Sequence, residues 1–293
     1  MSANMDAESI ARLSLHDPND FRIQHAQTLH RLELLQHWNI LPGARLLELG
    51  CGQGDCTTVL ASAVGEQGHV VAVDPADLDY GAPYTLAQAQ GLISQGLLGG
   101  RVTWVQESPL DYLSSLASDS PPDSKAFDAA VLAHCLWYFP SPSLILDTLR
   151  ALKQHSKRLL LAEWSLVATD PSAQPHVLAA LAQAALECRK PTSTSNVRTV
   201  LSLKRLTELA LAAGWQLETE TRVQPTEDLL DGRWEVSACL SPSFEREVEE
   251  KVTEERERGV VFALRDACEA SLGSVQGGLK GVRAMDVWVA TFV

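Results

Sequence analysis

The chain has 293 residues, 45% of them hydrophobic and 21% charged, with a formal net charge of −13, proportions that suit a globular protein with a full core. So acidic a surface repels nucleic acid, whose binding rests on neutralising phosphates, and the six cysteines lack the paired spacing of a zinc site. No apolar run reaches the roughly 18 residues of a membrane span, the first 20 residues lack an apolar signal core, and the thiols suit a reducing, cytoplasmic setting.

Residues 1–19 read as a flexible tail. From Asp20 to Trp38 the spacing of Ile23, Leu29, Leu32, Leu35 and Trp38 predicts a helix packed through one apolar face, which Pro42 and Gly43 stop. Polar residues of this helix, Arg22, Gln24, His25, Gln27 and His30, are secondary candidates for ligand contact. ARLLELG (44–50) is a buried parallel strand, Asp55–Val64 a helix and HVVAVD (69–74) a second strand. A helix over Tyr84–Leu97 precedes a third strand at 102–106. The stretch 114–124, rich in Ser, Pro and Asp, is a loop. FDAAVLAH (127–134) forms the fourth strand, Pro142–Lys153 a helix and RLLLAEW (158–164) the fifth strand. Strands that alternate with helices in this way predict a parallel, doubly wound α/β sheet.

Beyond Trp164 the pattern loosens. Pro175–Cys188 and Leu203–Ala213 are helical, WQLETETRV (215–223) alternates as a sixth strand, residues 226–283 are charged and helical, and AMDVWVATFV (284–293) closes as a seventh strand. The organisation expected is a single domain over 20–293 with helical cap insertions at about 170–200 and 226–283. The acidic run 244–258 reads as a solvated helix face.

Chemistry concentrates at strand ends. Glu48-Leu-Gly50-Cys-Gly52-Gln-Gly54-Asp55 closes the first strand, and glycines there let the backbone approach a ligand closely and turn into a helix whose N-terminus faces it. The dinucleotide fingerprint needs its third glycine at the position that Asp55 occupies, which argues against a pyrophosphate ligand. Asp74 ends the second strand, where an acidic side chain can accept hydrogen bonds from both hydroxyls of a ribose; the plainer alternative is an Asp that terminates a strand.

ELGCGQGD, VVAVD and FDAAVLAH together resemble the successive motifs of class I S-adenosylmethionine-dependent methyltransferases, closely over residues 40–165 and more loosely over 200–223 and 284–293. The resemblance implies a Rossmann-like sheet of seven mostly parallel strands with the last antiparallel. It implies that Glu48, Gly50, Cys51, Gly52 and Gly54 border the methionine part of S-adenosylmethionine, with Asp74 and Pro75 at the ribose. Ser108 and Asp111 are alternative adenine contacts, and Ala133 lies beside the cofactor at the end of the fourth strand. His134 reads as a general base, an orienting group for the acceptor, or a histidine packed at a strand end. Glu163 is the alternative base or an amine anchor, and Trp137, Tyr138 and Trp164 would wall an acceptor pocket, with Trp234 as a further candidate. No carboxylate cluster suggests a metal. The function expected is methyl transfer to an O or N atom of a small molecule; the alternatives are a non-methylating reaction such as cyclisation, or a non-catalytic regulator.

Overall fold

A computed structural model describes residues 6–116, 125–190, 192–193 and 195–293. Seven strands, β1 (Arg45–Leu49), β2 (His69–Val73), β3 (Val102–Val105), β4 (Phe127–Ala133), β5 (Ser156–Trp164), β6 (Leu217–Val223) and β7 (Val287–Phe292), form one sheet in the order β3-β2-β1-β4-β5-β7-β6. The first five are mutually parallel, and β7 runs antiparallel to both β5 and β6. This is the Rossmann-like arrangement that the motifs imply.

The apolar runs work because both faces of the sheet are covered. Leu47, Leu49, Val71, Val73, Ala130 and Leu132 point to one face, and Leu46, Val70, Ala72, Ala129 and Val131 to the other, as the two-residue period of a strand requires. The edge strand β6 is instead polar and exposed along most of its length, and its charged residues discourage pairing with another chain.

The helices are α1 (Ala7–Ala11), α2 (Phe21–Gln36), α3 (Asp55–Val64), α4 (Leu86–Gln95), α5 (Pro109–Leu116), α6 (Pro142–His155), α7 (Gln174–Glu187), α8 (Leu203–Ala212), α9 (Asp231–Cys239), α10 (Pro242–Lys251) and α11 (Glu255–Gly273). α5, α6 and α8 cover one face through Leu113, Ile145, Leu149, Leu206 and Ala210. α2, α3 and α4 cover the other through Leu34, Leu60, Val64 and Ile93. α7, α9, α10 and α11 enclose an apolar core of their own, built from Ala182, Leu186, Val236, Phe244, Val248, Val261 and Cys268 among others. No helix among the described residues is long and apolar enough to cross a membrane.

Three expectations need correction. Residues 6–19 are not a loose tail: Asp6 caps α1, Ile10 and Ala11 are buried, and the Ser14 and Thr58 hydroxyls are 3.1 Å apart. One and a half turns are too short for periodicity to reveal, and their order comes from packing on α2 and α3. α2 buries Gln24, Gln27, Thr28 and His30 while Leu29 is 37% exposed, so only its last turns, through Leu34, Leu35 and the following Trp38, pack on the apolar core. Residues 114–116 close α5 instead of opening a loop, and 117–124 lie outside the described residues.

The chain returns from β3 to place β4 beside β1, with Leu46 opposite Ala129 and Glu48 opposite Val131. The loops that leave β1 and β4 therefore lie side by side at the carboxyl edge. Sheets of this type bind ligands at such a reversal.

Candidate functional site

The loop after β1 owes its shape to its glycines. Gly50 has φ +72°, and a Cβ there would stand 2.5 Å from Cβ of Cys135, so only glycine lets the loops after β1 and β4 touch. Gly52 has φ +50° with no atom within 4 Å of where its Cβ would be, so it opens onto free space. Its N–H donates to Oδ2 of Asp74 at 2.8 Å, while Oδ1 of Asp74 accepts from the Ala76 N–H at 2.9 Å. Asp74 thus ties the glycine loop to the end of β2. Glu48 is 2% exposed and accepts the Thr57 hydroxyl at 2.6 Å. Burial pushes its carboxyl up to about 7, against the hydrogen bonds from Thr57 and Cys56.

The loop after β4 carries His134 at φ +55°, a conformation that costs a side-chain-bearing residue energy and that often marks functional sites. Its backbone N–H reaches O of Ala162 at 2.8 Å. Its Nε2 lies 2.9 Å from Nε2 of His30, so one of the two imidazoles carries the shared proton. Its Nδ1 is 3.8 Å from Oε1 of Glu163, too far for a hydrogen bond, and has no other partner among the described residues. The ring packs 4.4 Å from that of Trp164.

Glu163 is 1% exposed; its Oε2 accepts the Leu136 N–H at 2.9 Å and its Oε1 the Trp164 N–H at 3.0 Å. Burial raises it to about 7. His176, from α7, sets its ring edge-on 5.1 Å from Trp164 and accepts the Met285 N–H at Nδ1; burial lowers it to about 3. His30 and His134 are likewise held well below the ordinary imidazole range, first by burial. The three rings are neutral acceptors or donors near neutral pH rather than cations.

A cavity of about 380 Å³ joins the two loops. Glu48, Gly50, Cys51 and Gly52 line it from β1, and Ala133, His134, Trp137 and Tyr138 from β4. Glu163 and Trp164 line it from β5. Other sequence candidates stand off the wall. Gly54 turns into α3, Asp74 is half-buried beside the glycine loop that it anchors, and Pro75 is exposed. Ser108 donates to Oδ2 of Asp111 at 2.6 Å and accepts the Asp111 N–H, so these two residues start α5. A serine before a proline is a helix-start signal, and it accounts for both without a ligand. Trp234 is 47% exposed and forms no part of the wall.

The sequence reading missed the contributions from distant segments. Arg31 of α2 and Asp231 and Glu235 of α9 line the cavity, and Tyr80 donates to Oδ1 of Asn196 at 2.7 Å across its rim. The available signal was the four-residue spacing of Asp231 and Glu235, which puts both on one helix face. No group of His, Cys, Asp and Glu among the described residues has the arrangement of a metal site.

Residues 21–220 match a family model described as a methyltransferase domain. The methyltransferase phomM′ of Diaporthe leptostromiformis is 32% identical over 278 residues, covering 84% of this chain and 72% of that protein. Among solved structures, a cyclopropane-fatty-acyl-phospholipid synthase-like protein from Lactobacillus casei is 30% identical, with a TM-score of 0.82 and 98% of each chain covered. A mycolic acid cyclopropane synthase complexed with SAH and CTAB shares the fold at 16% identity and a TM-score of 0.52, over 97% of this chain and 93% of that one.

Proposed function

The chain belongs to the class I S-adenosylmethionine-dependent methyltransferase family, and from that premise we propose that it transfers a methyl group to an N or O atom of a small molecule. The observation that carries this reading is the single cavity shared by the glycine loop and the His134–Glu163 wall.

The residues fit S-adenosylmethionine. Gly52 opens onto free space, and both oxygens of Asp74 are fixed by backbone N–H groups yet keep lone pairs for hydroxyls. Glu48, Gly50, Cys51 and Gly52 would hold the methionine part and Asp74 the ribose. When bound, the cofactor supplies a methyl on a sulfonium that needs no further activation. The protein's task is then to position the acceptor, an effect worth about 7–11 kcal/mol in favourable cases. With the shared proton on its Nε2 and directed to His30, neutral His134 keeps a bare Nδ1 as acceptor for the incoming N–H or O–H, and Trp137 and Trp164 exclude water. The layer of α7 and α9–α11 covers the acceptor end, since His176, Asp231 and Glu235 reach the cavity from it. Six unpaired cysteines support a cytoplasmic setting.

The name of the Lactobacillus casei neighbour speaks of a fatty-acyl substrate for a relative of that protein. A cavity walled by Asp231 and Glu235 suits an acyl chain poorly, because each carboxylate would lose its water to hydrocarbon. A small polar acceptor is favoured.

Two measurements test the reading. Incubation with S-adenosylmethionine and small amines or phenols should release S-adenosylhomocysteine. Asp74→Ala should weaken S-adenosylhomocysteine binding by about tenfold or more in calorimetric titration, because charge-assisted bonds to hydroxyls are each worth about 1.5–3 kcal/mol. Unchanged affinity in a variant with a native circular dichroism spectrum overturns the ribose assignment.

A further inference from the structure

The cavity wall carries far more negative than positive charge. Glu48, Asp55, Glu163, Asp231 and Glu235 contribute carboxyl groups, and Arg31 is the one Lys or Arg among the lining residues. Three of the five acids have evident structural work: Glu48 is tied to Thr57, Glu163 to two backbone N–H groups, and Asp55 starts α3 and accepts the Gln24 amide at 2.9 Å.

Asp231 and Glu235 differ. They lie one turn apart on α9 and form no ion pair among the described residues. Each is held by a neutral amide: Gln27 donates to Oδ2 of Asp231 at 2.9 Å, and Gln183 to Oε2 of Glu235 at 2.6 Å. A glutamine fixes the orientation of a carboxylate without cancelling its charge. Oδ1 of Asp231 and Oε1 of Glu235 accept from no side chain among the described residues. Burial raises both carboxyls above their ordinary range, offset in part at Asp231 by the nearby positive charge of Arg31.

Two further observations point to a ligand. Tyr138 lines the same cavity as Glu163, Asp231 and Glu235, and burial, with the negative charges of these three acids, pushes its phenol up. Nδ1 of His134, a lining residue whose side chain is only 7% exposed, is a buried polar atom with no hydrogen-bond partner among the described residues. Carboxylates, an unpaired imidazole nitrogen and the rings of Trp137, Tyr138 and Trp164 are the features that recognise a protonated amine: charge partners, a hydrogen-bond acceptor and π faces.

We propose that Asp231 and Glu235 bind the ammonium group of the acceptor, so that the molecules this site accepts are small amines. The inference rests on the cavity being the acceptor site, and nothing beyond the binding of that ammonium is asked of the two residues.

The test is calorimetric, on the full chain with and without saturating S-adenosylhomocysteine, with benzylammonium and its neutral counterpart benzyl alcohol as probes. Benzylammonium should bind about tenfold or more tightly than benzyl alcohol, as a desolvated charge pair would produce. The double variant Asp231→Asn, Glu235→Gln should abolish that preference and leave S-adenosylhomocysteine affinity within about threefold. Equal affinity for the two probes in the wild-type protein overturns the proposal whatever the variant does, and so does a preference that survives in a folded double variant. Failure of S-adenosylhomocysteine to bind overturns the methyltransferase reading instead, and the probe comparison on the free protein still decides the amine site.

Discussion

Replacing His134 with alanine is expected to lower kcat by about 10²-fold or more while S-adenosylhomocysteine affinity stays within about threefold. The imidazole lies on the β4 side of the cavity, against Trp164 and His30, and touches none of the glycine loop's hydrogen bonds. Losing it should therefore disturb the acceptor and spare the cofactor. Burial and the nearby Arg31 hold His134 well below the ordinary imidazole range, so the ring is already neutral at pH 7 and remains so at pH 9. A residue that positions the acceptor through a neutral Nδ1 gives a loss of constant size between those pH values. A loss that shrinks as pH rises would show that His134 takes a proton from the acceptor. Full activity in the variant would reduce His134 to a packing residue. Because φ at this position is +55°, His134→Gly is a useful companion: it relieves the backbone and removes the ring, and should be as inactive as the alanine variant yet more stable.

A second large effect concerns stability. Glu48 and Glu163 are each raised from 4.5 to about 7 by burial. In the unfolded chain both ionise near 4.5; in the folded protein they keep their protons to about 7. The stability this carries is complete below about pH 4.5 and is lost as pH climbs through 7. The ligand-free protein should consequently unfold at lower urea at pH 8 than at pH 5, with each carboxyl contributing at most about 3 kcal/mol to the difference. Glu48→Gln should raise the midpoint at pH 8 and leave it nearly unchanged at pH 4, since the amide can still accept the Thr57 hydroxyl. Equal pH dependence in the wild type and this variant would dispose of the idea. Glu163→Gln is the poorer probe, because both Glu163 oxygens accept backbone N–H groups and an amide nitrogen would face one of them.

What could be read from the sequence was local. The apolar strands and the glycines at 50, 52 and 54 are written within a few residues of one another. Topology then fixes that the loops after β1 and β4 must adjoin, so His134, Trp137 and Tyr138 fall at the same cavity as Gly50 and Gly52. Residues whose position depends on distant packing were misread. The first turns of α2 have no periodic apolar signature on their inward side, because Gln24 and Gln27 bind Asp55 and Asp231 rather than a core. α9 lies about 180 positions beyond the glycine loop and arrives there only because it packs on α7. Ser108 falls where the family resemblance implies an adenine contact, yet its hydroxyl accepts the Asp111 N–H at the start of a helix.

The separate apolar core of α7 and α9–α11 has an evolutionary implication. The glycine loop and Asp74 are braced by the sheet, while Asp231 and Glu235 are braced by that second core. Mutations that repack Val236, Phe244 or Cys268 move one wall of the cavity and leave the other in place. In a protein built this way, a lineage can drift from one acceptor to another through changes far from the β1 loop, while the machinery that holds the methyl donor is inherited intact.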